Sequence, residues 1–96
     1  MGSFIAPLKA PFCWRNAIAE SMAFFNETWD DIEAITLSDE ELDRQFDNGY
    51  GGTEGEPFTI WTMSRVYFPA CYDGREWVES VARHPDGKPT DHVGGG

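Results

Sequence analysis

Basic side chains are scarce in this 96-residue sequence: seven Lys and Arg stand against 17 Asp and Glu, so the net charge is −10. Proteins that bind DNA or RNA directly neutralise phosphates with Lys and Arg, and anionic membrane surfaces attract basic segments. The shortage of basic residues therefore argues against direct contact with nucleic acid or with a membrane. A basic surface on another protein is the natural electrostatic complement of such a chain.

Long hydrophobic runs and cysteines are scarce as well. No run approaches the roughly 20 apolar residues of a membrane span, and residues 4–11, broken by Pro and Lys, do not fit a signal peptide. We therefore expect a cytoplasmic location. Cys13 and Cys71 lack the spacing of a metal site, and we expect two reduced, partly buried thiols. No metal and no cofactor are expected.

Aromatic residues, by contrast, are plentiful, with four Trp, seven Phe and three Tyr. Disordered chains contain few aromatic residues, and a chain of this length fits one domain. We predict a single domain over residues 1–96, with an extended arm at 1–10 and a loose tail at 85–96. Fourteen aromatic residues exceed what one small core hides, so we expect some at the surface, where Tyr and Trp anchor interfaces.

Helical periodicity dominates the first third of the chain. Apolar residues spaced three and four apart predict a helix over about residues 13–35. A second helix start at Thr28, with Asp31 three positions later, would break that helix near Asn26. The apolar stripe consists of Trp14, Ile18, Met22, Phe25, Trp29 and Ile32.

The next segment has clear helix signals at both ends. Ser38 with Glu41 forms a capping box, and Leu37 with Leu42 occupies the two positions of a hydrophobic staple. The Asn-Gly pair at residues 48–49 is typical of a left-handed helix end. These signals predict a short helix over about residues 39–47.

The second half of the chain has the composition of β-structure. Runs rich in β-branched and aromatic residues predict strands over about residues 58–62 and 65–72. Asp73-Gly74 is a strong hairpin turn signal, which favours a third strand at 75–83 over a helix, although that run also has helical spacing. We therefore predict an α+β fold, with the N-terminal helices packed on a small antiparallel sheet.

Acidic residues are concentrated between positions 20 and 56, where twelve acids accompany one base and the net charge is −11. The helix dipole favours acids in a first helical turn, but this explains only three of the twelve. The other nine acids repel one another, and the single base in the segment does not offset that repulsion. We interpret the segment as a partner-binding surface, with a merely solvated face as the alternative. Its expected contact residues are Glu27, Asp30, Asp31, Glu33, Asp39, Glu40, Asp43, Asp47, Tyr50 and Glu54.

Catalytic signatures are missing from the sequence. Cys71, His84 and Asp86 supply the residue types of nucleophilic catalysis but no family motif. The Gly-rich segment at 49–57 lacks the Lys of a phosphate-binding loop and carries acids instead. We therefore expect no enzymatic activity, and a small enzyme that uses Cys and His is the least favoured alternative.

One segment carries a resemblance to known proteins. Residues 58–85, including the segments 58–62 (FTIWT), 66–69 (VYFP) and 71–74 (CYDG), resemble small uncharacterised proteins of bacteria and their phages, which have no assigned activity. In size, acidity and lack of a catalytic motif, the chain resembles phage-encoded anti-defence proteins, including anti-CRISPR proteins. Such proteins present carboxylates where nucleic-acid phosphates would lie.

That resemblance of class implies a function. It implies a non-enzymatic inhibitor that acts as a DNA mimic, its acidic helical face binding a basic, nucleic-acid-handling surface of a host protein such as a CRISPR–Cas complex. The protein would then act in the cytoplasm of the host bacterium. A generic interaction or oligomerising module of a mobile element is the alternative, and the oligomeric state stays open.

Overall fold

One eleven-residue helix, one short helix and two antiparallel sheets make up the part of the chain that the computed structural model describes, residues 12–47 and 53–94. This arrangement confirms the predicted α+β class. In chain order the elements are β1 (Phe12–Cys13), α1 (Trp14–Phe24), a 3₁₀ helix (Trp29–Asp31), β2 (Ile32–Ile35), α2 (Asp39–Asp43), β3 (Gln45–Phe46), β4 (Ile60–Thr62), β5 (Arg65–Tyr72) and β6 (Arg75–Ala82).

The larger sheet has the strand order β2-β4-β5-β6, and β1 pairs with β3 in a separate two-stranded sheet. β5 and β6 pair along their whole length, from Arg65 opposite Ala82 to Tyr72 opposite Arg75. The connecting residues Asp73 and Gly74 both have positive φ, 53° and 81°, as a two-residue type I′ turn requires. The predicted third strand is therefore confirmed.

Pro69 lies in the middle of β5, opposite Val78 of β6. Proline has no N–H to donate, so it fits a strand only where a ladder bond is not needed. β4 pairs with β5 only at Val66 and Tyr67, so β5 has an open side at Pro69 within the described residues. The sheet therefore loses no hydrogen bond through the absence of an N–H at Pro69.

The core lies between α1 and one face of the larger sheet. Trp14, Ile18 and Met22 repeat every fourth residue and are buried against Ile60 and Tyr67, which is the pattern of an amphipathic helix facing a sheet. Trp14 is the centre of this core. Its ring meets the rings of Phe12, Phe46 and Phe58 edge to face, and its indole N–H donates to the Glu56 carbonyl.

The predicted long helix over 13–35 is wrong in its second half. α1 ends at Phe24, and Asn26 has a left-handed φ of 60°. The expected second start is confirmed, because Thr28 and Asp31 form a capping box, but it opens only a three-residue 3₁₀ helix. The chain then enters β2, which pairs with β4.

A register shift in β2 explains why its sequence looks helical. The pairing with β4 is irregular between Ile32 and Ala34, as an inserted bulge residue makes it. Side chains three positions apart then reach the same face of the sheet, and Ile32 and Ile35 both pack against the core. Two apolar residues three positions apart can therefore both contact the core although this segment is a strand.

The second predicted helix, over 39–47, is shorter than expected. The Ser38–Glu41 capping box is present and starts α2, but α2 ends at Asp43. Phe46 instead lies in β3, opposite Phe12, where its ring is buried. The predicted stop at 48–49 and the arm at 1–10 lie outside the described residues, and residues 83–94 form neither helix nor strand.

Within the described ranges, no helix has the length and hydrophobicity needed to cross a membrane.

Candidate functional site

Four of the predicted contact residues line one groove of about 630 Å³, which we call the acidic groove. It lies between the connection from α1 to β2 and the turn that joins β4 to β5. The rest of its wall consists of Phe25, Asn26, Ile32, Met63, Ser64 and Arg65. Its four carboxylates belong to Glu27, Asp30, Asp31 and Glu33.

Local backbone signals bring these carboxylates together. Asn26, with its left-handed φ, turns the chain away from the end of α1. The side chain of Thr28 then starts the 3₁₀ helix by accepting a hydrogen bond from the backbone N–H of Asp30. Pairing of β2 with β4 finally places Glu33 near the β4–β5 turn. Four acids within seven residues thus face one short stretch of surface.

Glu27 anchors the floor of the groove. Its carboxylate accepts hydrogen bonds from the hydroxyls of Tyr67 and Thr62, two side chains that are wholly buried. Burial of Tyr67, together with the hydrogen bond to Glu27, raises the pKa of this tyrosine well above its ordinary value. Glu27 therefore fixes the connection after α1 to the sheet.

Two of the other acids also have partners. The Asp31 carboxylate accepts from the backbone N–H of Thr28 at 2.7 Å. Glu33 pairs with Arg83, whose guanidinium also donates to the Thr62 carbonyl at 2.7 Å. Asp30 is exposed, and among the described residues its carboxylate has neither a hydrogen bond nor an ion pair. Asp30 is thus the groove carboxylate that is available to a ligand.

Arg65 is the basic residue in the groove wall, and it is already engaged. Its guanidinium carbon lies 3.7 Å from the centroid of the Phe25 ring, and its Nε donates to Ser80 Oγ at 2.8 Å. Beside it, Met63 is 70% exposed and Phe25 is 37% exposed. The groove therefore combines negative charge with exposed apolar surface.

The acids of α2 form a separate set. Arg15 of α1 donates to the carboxylates of Asp39 and Asp43, and its guanidinium lies 5.6 Å from the centroid of the Trp29 ring. The hydrogen bond from Arg15 lowers the pKa of Asp43 below its ordinary value. These two carboxylates therefore hold α2 against α1, and they do not line the acidic groove.

The remaining predicted contact residues are scattered. Glu40 is exposed on α2. Glu54 is held by its backbone, since its N–H donates to the Glu76 carboxylate and its carbonyl accepts from Arg44. Asp47 is half-buried and has a partner. The predicted contact residue Tyr50 lies outside the described residues.

Sequence reasoning missed the walls of the groove and the bases that reach the acids. Phe25 is part of the predicted core stripe, yet it follows the last residue of α1 and is exposed. Arg15 and Arg83 lie outside the acidic segment and approach it only through the fold. The Met-Ser pair between two predicted strands at 63–64 was the available signal for an exposed turn beside the acids.

Among the described residues, no hydrogen bond joins the candidate catalytic residues Cys71, His84 and Asp86. Cys13 and Cys71 are half-buried free thiols, and Cys71 Sγ lies 3.4 Å from Thr53 Oγ1. His84 is exposed. Within residues 12–47 and 53–94, no group of three or more His, Cys, Asp and Glu side chains is placed to hold a metal ion.

Comparison with protein families, curated proteins and solved structures finds no match for this chain. What the acidic groove can do therefore follows from its own side chains. A Lys or Arg side chain has an apolar stem and a charged head. In this groove the stem would contact Met63 and Phe25, and the head would contact Asp30. The arrangement is suited to holding a basic side chain of a protein partner.

Proposed function

We propose that this protein is a non-enzymatic binder of a basic protein surface and that the acidic groove is its contact site. The observation that carries the proposal is the composition of the groove. Four carboxylates share it with one base, Arg65, which is occupied by Phe25 and Ser80. A net charge of −10 adds a long-range field of the same sign.

Binding would use two kinds of contact, one electrostatic and one apolar. Asp30 would accept charge-assisted hydrogen bonds from a guanidinium or ammonium group, which are the strong class of hydrogen bonds. Met63 and Phe25 would cover the aliphatic stem of the same side chain. The overall field would steer a basic partner towards the groove and make association fall with ionic strength.

We further propose that the partner uses this basic surface to hold nucleic acid, so that binding inhibits it. The carboxylates would then occupy the positions of phosphates, as the resemblance to anti-defence proteins implies. This finer proposal rests on charge and on that resemblance. It includes a CRISPR–Cas complex as the target and the cytoplasm of the host bacterium as the location.

A labelled peptide rich in Lys and Arg tests the contact site, with a neutral peptide of equal length as its reference. We expect Asp30→Lys to weaken binding of the basic peptide about tenfold, because it replaces an attraction with a repulsion. Glu40→Lys makes the same charge change on the exposed surface of α2 and should weaken binding no more than about threefold. Equal effects of the two variants would assign binding to net charge alone and contradict the groove.

Capture from bacterial lysate at low and high salt tests the finer proposal. A captured protein should bind the wild type at low salt and lose affinity at high salt. Adding wild-type protein should then displace nucleic acid from it, and the variant Asp30→Lys should not. If the captured protein keeps its nucleic acid at saturating wild-type protein, inhibition by occupancy is wrong, whatever the peptide assay shows.

A further inference from the structure

Two exposed phenylalanines stand together at the end of α1. Phe24 is the last residue of the helix and is 81% exposed, and Phe25 follows it and is 37% exposed. Their rings meet edge to face, with the centroids 5.0 Å apart. Single apolar side chains at a surface are normal, whereas contiguous ones mark interaction sites. The contact proposed for the acidic groove uses Phe25 and gives Phe24 no role.

Phe24 lines a second groove, of about 610 Å³, which lies between α1 and β6 and which we call the α1–β6 groove. On the side of α1 its wall consists of Ala17, Ser21 and Phe24, which recur at the spacing of one helix face. The first two side chains are small and leave room beside the Phe24 ring. This part of the groove is suited to an apolar side chain.

Phe25 connects the two grooves. Its side chain lines both the acidic groove and the α1–β6 groove, so one aromatic side chain separates them. An extended chain advances about 6.6 Å over two residues, and the second side chain then points to the same face as the first. A segment of a partner can therefore reach both grooves with two side chains that lie two positions apart.

Charge favours a basic partner at the second groove as well. Glu20 and Glu79 contribute carboxylates to its wall, against one base, Arg75. The carboxylate of Glu76, which also lines it, is buried and accepts from the backbone N–H groups of residues 54–55. A second copy of this chain would bring a net charge of −10 to this acidic surface and be repelled.

We propose that the basic segment of the partner carries an apolar side chain two positions from its Lys or Arg, and that this side chain binds in the α1–β6 groove against Phe24. The basic side chain would lie in the acidic groove at Asp30, and Phe25 would contact both. The apolar contact rests on the proposed function, because the acidic groove determines where the segment lies. It adds the chemistry of the partner, a segment with basic and apolar side chains on one face.

The described tail, residues 83–94, borders a different space. Residues 83–91 and 93 line a third groove together with Glu79–Ala82, and none of them lines the α1–β6 groove. The apolar side chain of the partner would contact side chains of α1, and the segment needs no backbone group of β6.

Two labelled peptides of equal length and charge test the apolar contact. One carries Lys, Leu and Lys at successive same-side positions of an extended chain, and the other carries Ser in place of that Leu. The Leu peptide should bind the wild type about tenfold more tightly, because part of the Leu side chain leaves water. Fluorescence anisotropy measures both dissociation constants.

Variants at Phe24 locate the Leu side chain. Phe24→Ser should reduce the preference for Leu to about twofold or less and keep the affinity of the Ser peptide within about twofold of the wild-type value. Phe24→Leu keeps an apolar side chain and should retain most of the preference. Tyr72→Ser is the matched control, since Tyr72 is also an exposed aromatic residue, at 53%, but lines neither groove. It should leave the preference unchanged.

Asp30→Lys distinguishes this contact from the proposed function. It should weaken both peptides by a similar factor and leave the preference for Leu in place, because the two contacts are separate. If neither peptide binds, or if Asp30→Lys changes nothing, the proposed function is wrong and the apolar contact with it. If Asp30→Lys weakens both peptides and the Leu peptide binds no more tightly than the Ser peptide, only the apolar contact is wrong.

Two further results would overturn the apolar contact. A preference for Leu that Phe24→Ser leaves intact, or that Tyr72→Ser removes equally, would place the Leu side chain elsewhere. A wild-type dimer in sedimentation that Phe24→Ser converts to a monomer would show that a second copy covers Phe24 instead.

Discussion

The Tyr67 hydroxyl donates to the carboxylate of Glu27, forty positions earlier in the chain. This contact ties the acidic connection after α1 to the centre of the sheet. Thr62 donates to the other oxygen of the same carboxylate at 2.9 Å. The residue that contributes charge to the groove floor is therefore also the one that fixes the groove in place.

Tyr67→Phe tests that link. The variant leaves one oxygen of a half-buried carboxylate without its donor, and we expect a loss of about 1–3 kcal/mol in the free energy of unfolding. Chemical denaturation measures it. The variant should also lower affinity for a basic peptide less than Asp30→Lys does, since Asp30 keeps its charge. Unchanged stability would show that the hydrogen bond is not formed in solution.

Alkaline titration tests the same contact through pH. Burial and the Glu27 hydrogen bond raise the pKa of Tyr67 above the unfolded value of about 10. A group with a raised folded pKa stabilises the fold below its unfolded pKa and loses that contribution as pH rises towards the folded pKa. Stability should therefore fall above about pH 10, and the tyrosinate absorbance of one tyrosine should appear only with unfolding. Tyr67→Phe should remove that late absorbance step.

Gly55 provides a test of core packing. An added Cβ would lie 2.6 Å from Trp14 Cζ2 and 2.8 Å from Phe46 Cζ, so we expect Gly55→Ala to destabilise by about 1–3 kcal/mol. Gly87→Ala is the comparison, because no atom lies within 4 Å of its added Cβ and only its positive φ opposes the substitution. That strain costs about 1 kcal/mol. A Gly55→Ala cost no larger than that of Gly87→Ala would contradict the packing of Trp14.

Elements with local signals were predictable from the sequence. The Asp73-Gly74 turn set the β5–β6 hairpin, and the Ser38–Glu41 capping box set the start of α2. Both signals act within a few residues and need no knowledge of the rest of the fold. The N-terminal part of α1 was predictable for the same reason.

β2 and β3 were not predictable because distant contacts decide them. Ile32 and Ile35 have helical spacing, and only pairing with β4, with its bulge, turns that segment into a strand. Phe46 leaves the helical pattern because it packs on Phe12 and Trp14.

The candidate site, too, was predictable from the sequence only in part. The cluster of acids from Glu27 to Glu33 was visible in the sequence, because they lie within seven residues. That Arg15 would bind Asp39 and Asp43 was not, since Arg15 lies 24 and 28 positions away from them. Tertiary packing thus decides which acids stay available.

Arg15→Ala tests the division between the two acidic sets. The hydrogen bond from Arg15 holds the pKa of Asp43 below its ordinary value, so removing it should raise that pKa towards about 4, as carbon-detected NMR titration can measure. A depressed folded pKa gives stability that is present above the unfolded pKa and lost as pH falls through the folded pKa. The difference in stability between wild type and variant should therefore shrink as the pH falls below about 4. An unchanged Asp43 pKa would contradict the ion pair.

The salt dependence of binding separates the electrostatic contact from the apolar contact proposed for the acidic groove. Asp30→Asn removes one negative charge with little change in shape, so it should lower the affinity for a basic peptide and also flatten the dependence of affinity on salt. Met63→Ser removes exposed apolar surface and keeps the charge. It should lower affinity about threefold and leave the salt dependence unchanged.

Fluorescence anisotropy at several salt concentrations gives both quantities from one titration series. Met63 is 70% exposed, so the fold should not respond to its replacement, and denaturation curves of both variants serve as the control. If Met63→Ser changes nothing, the apolar wall does not contact the peptide. If Asp30→Asn leaves the salt dependence intact, Asp30 is not the carboxylate that receives the basic side chain, because a charge at the contact contributes most to that dependence.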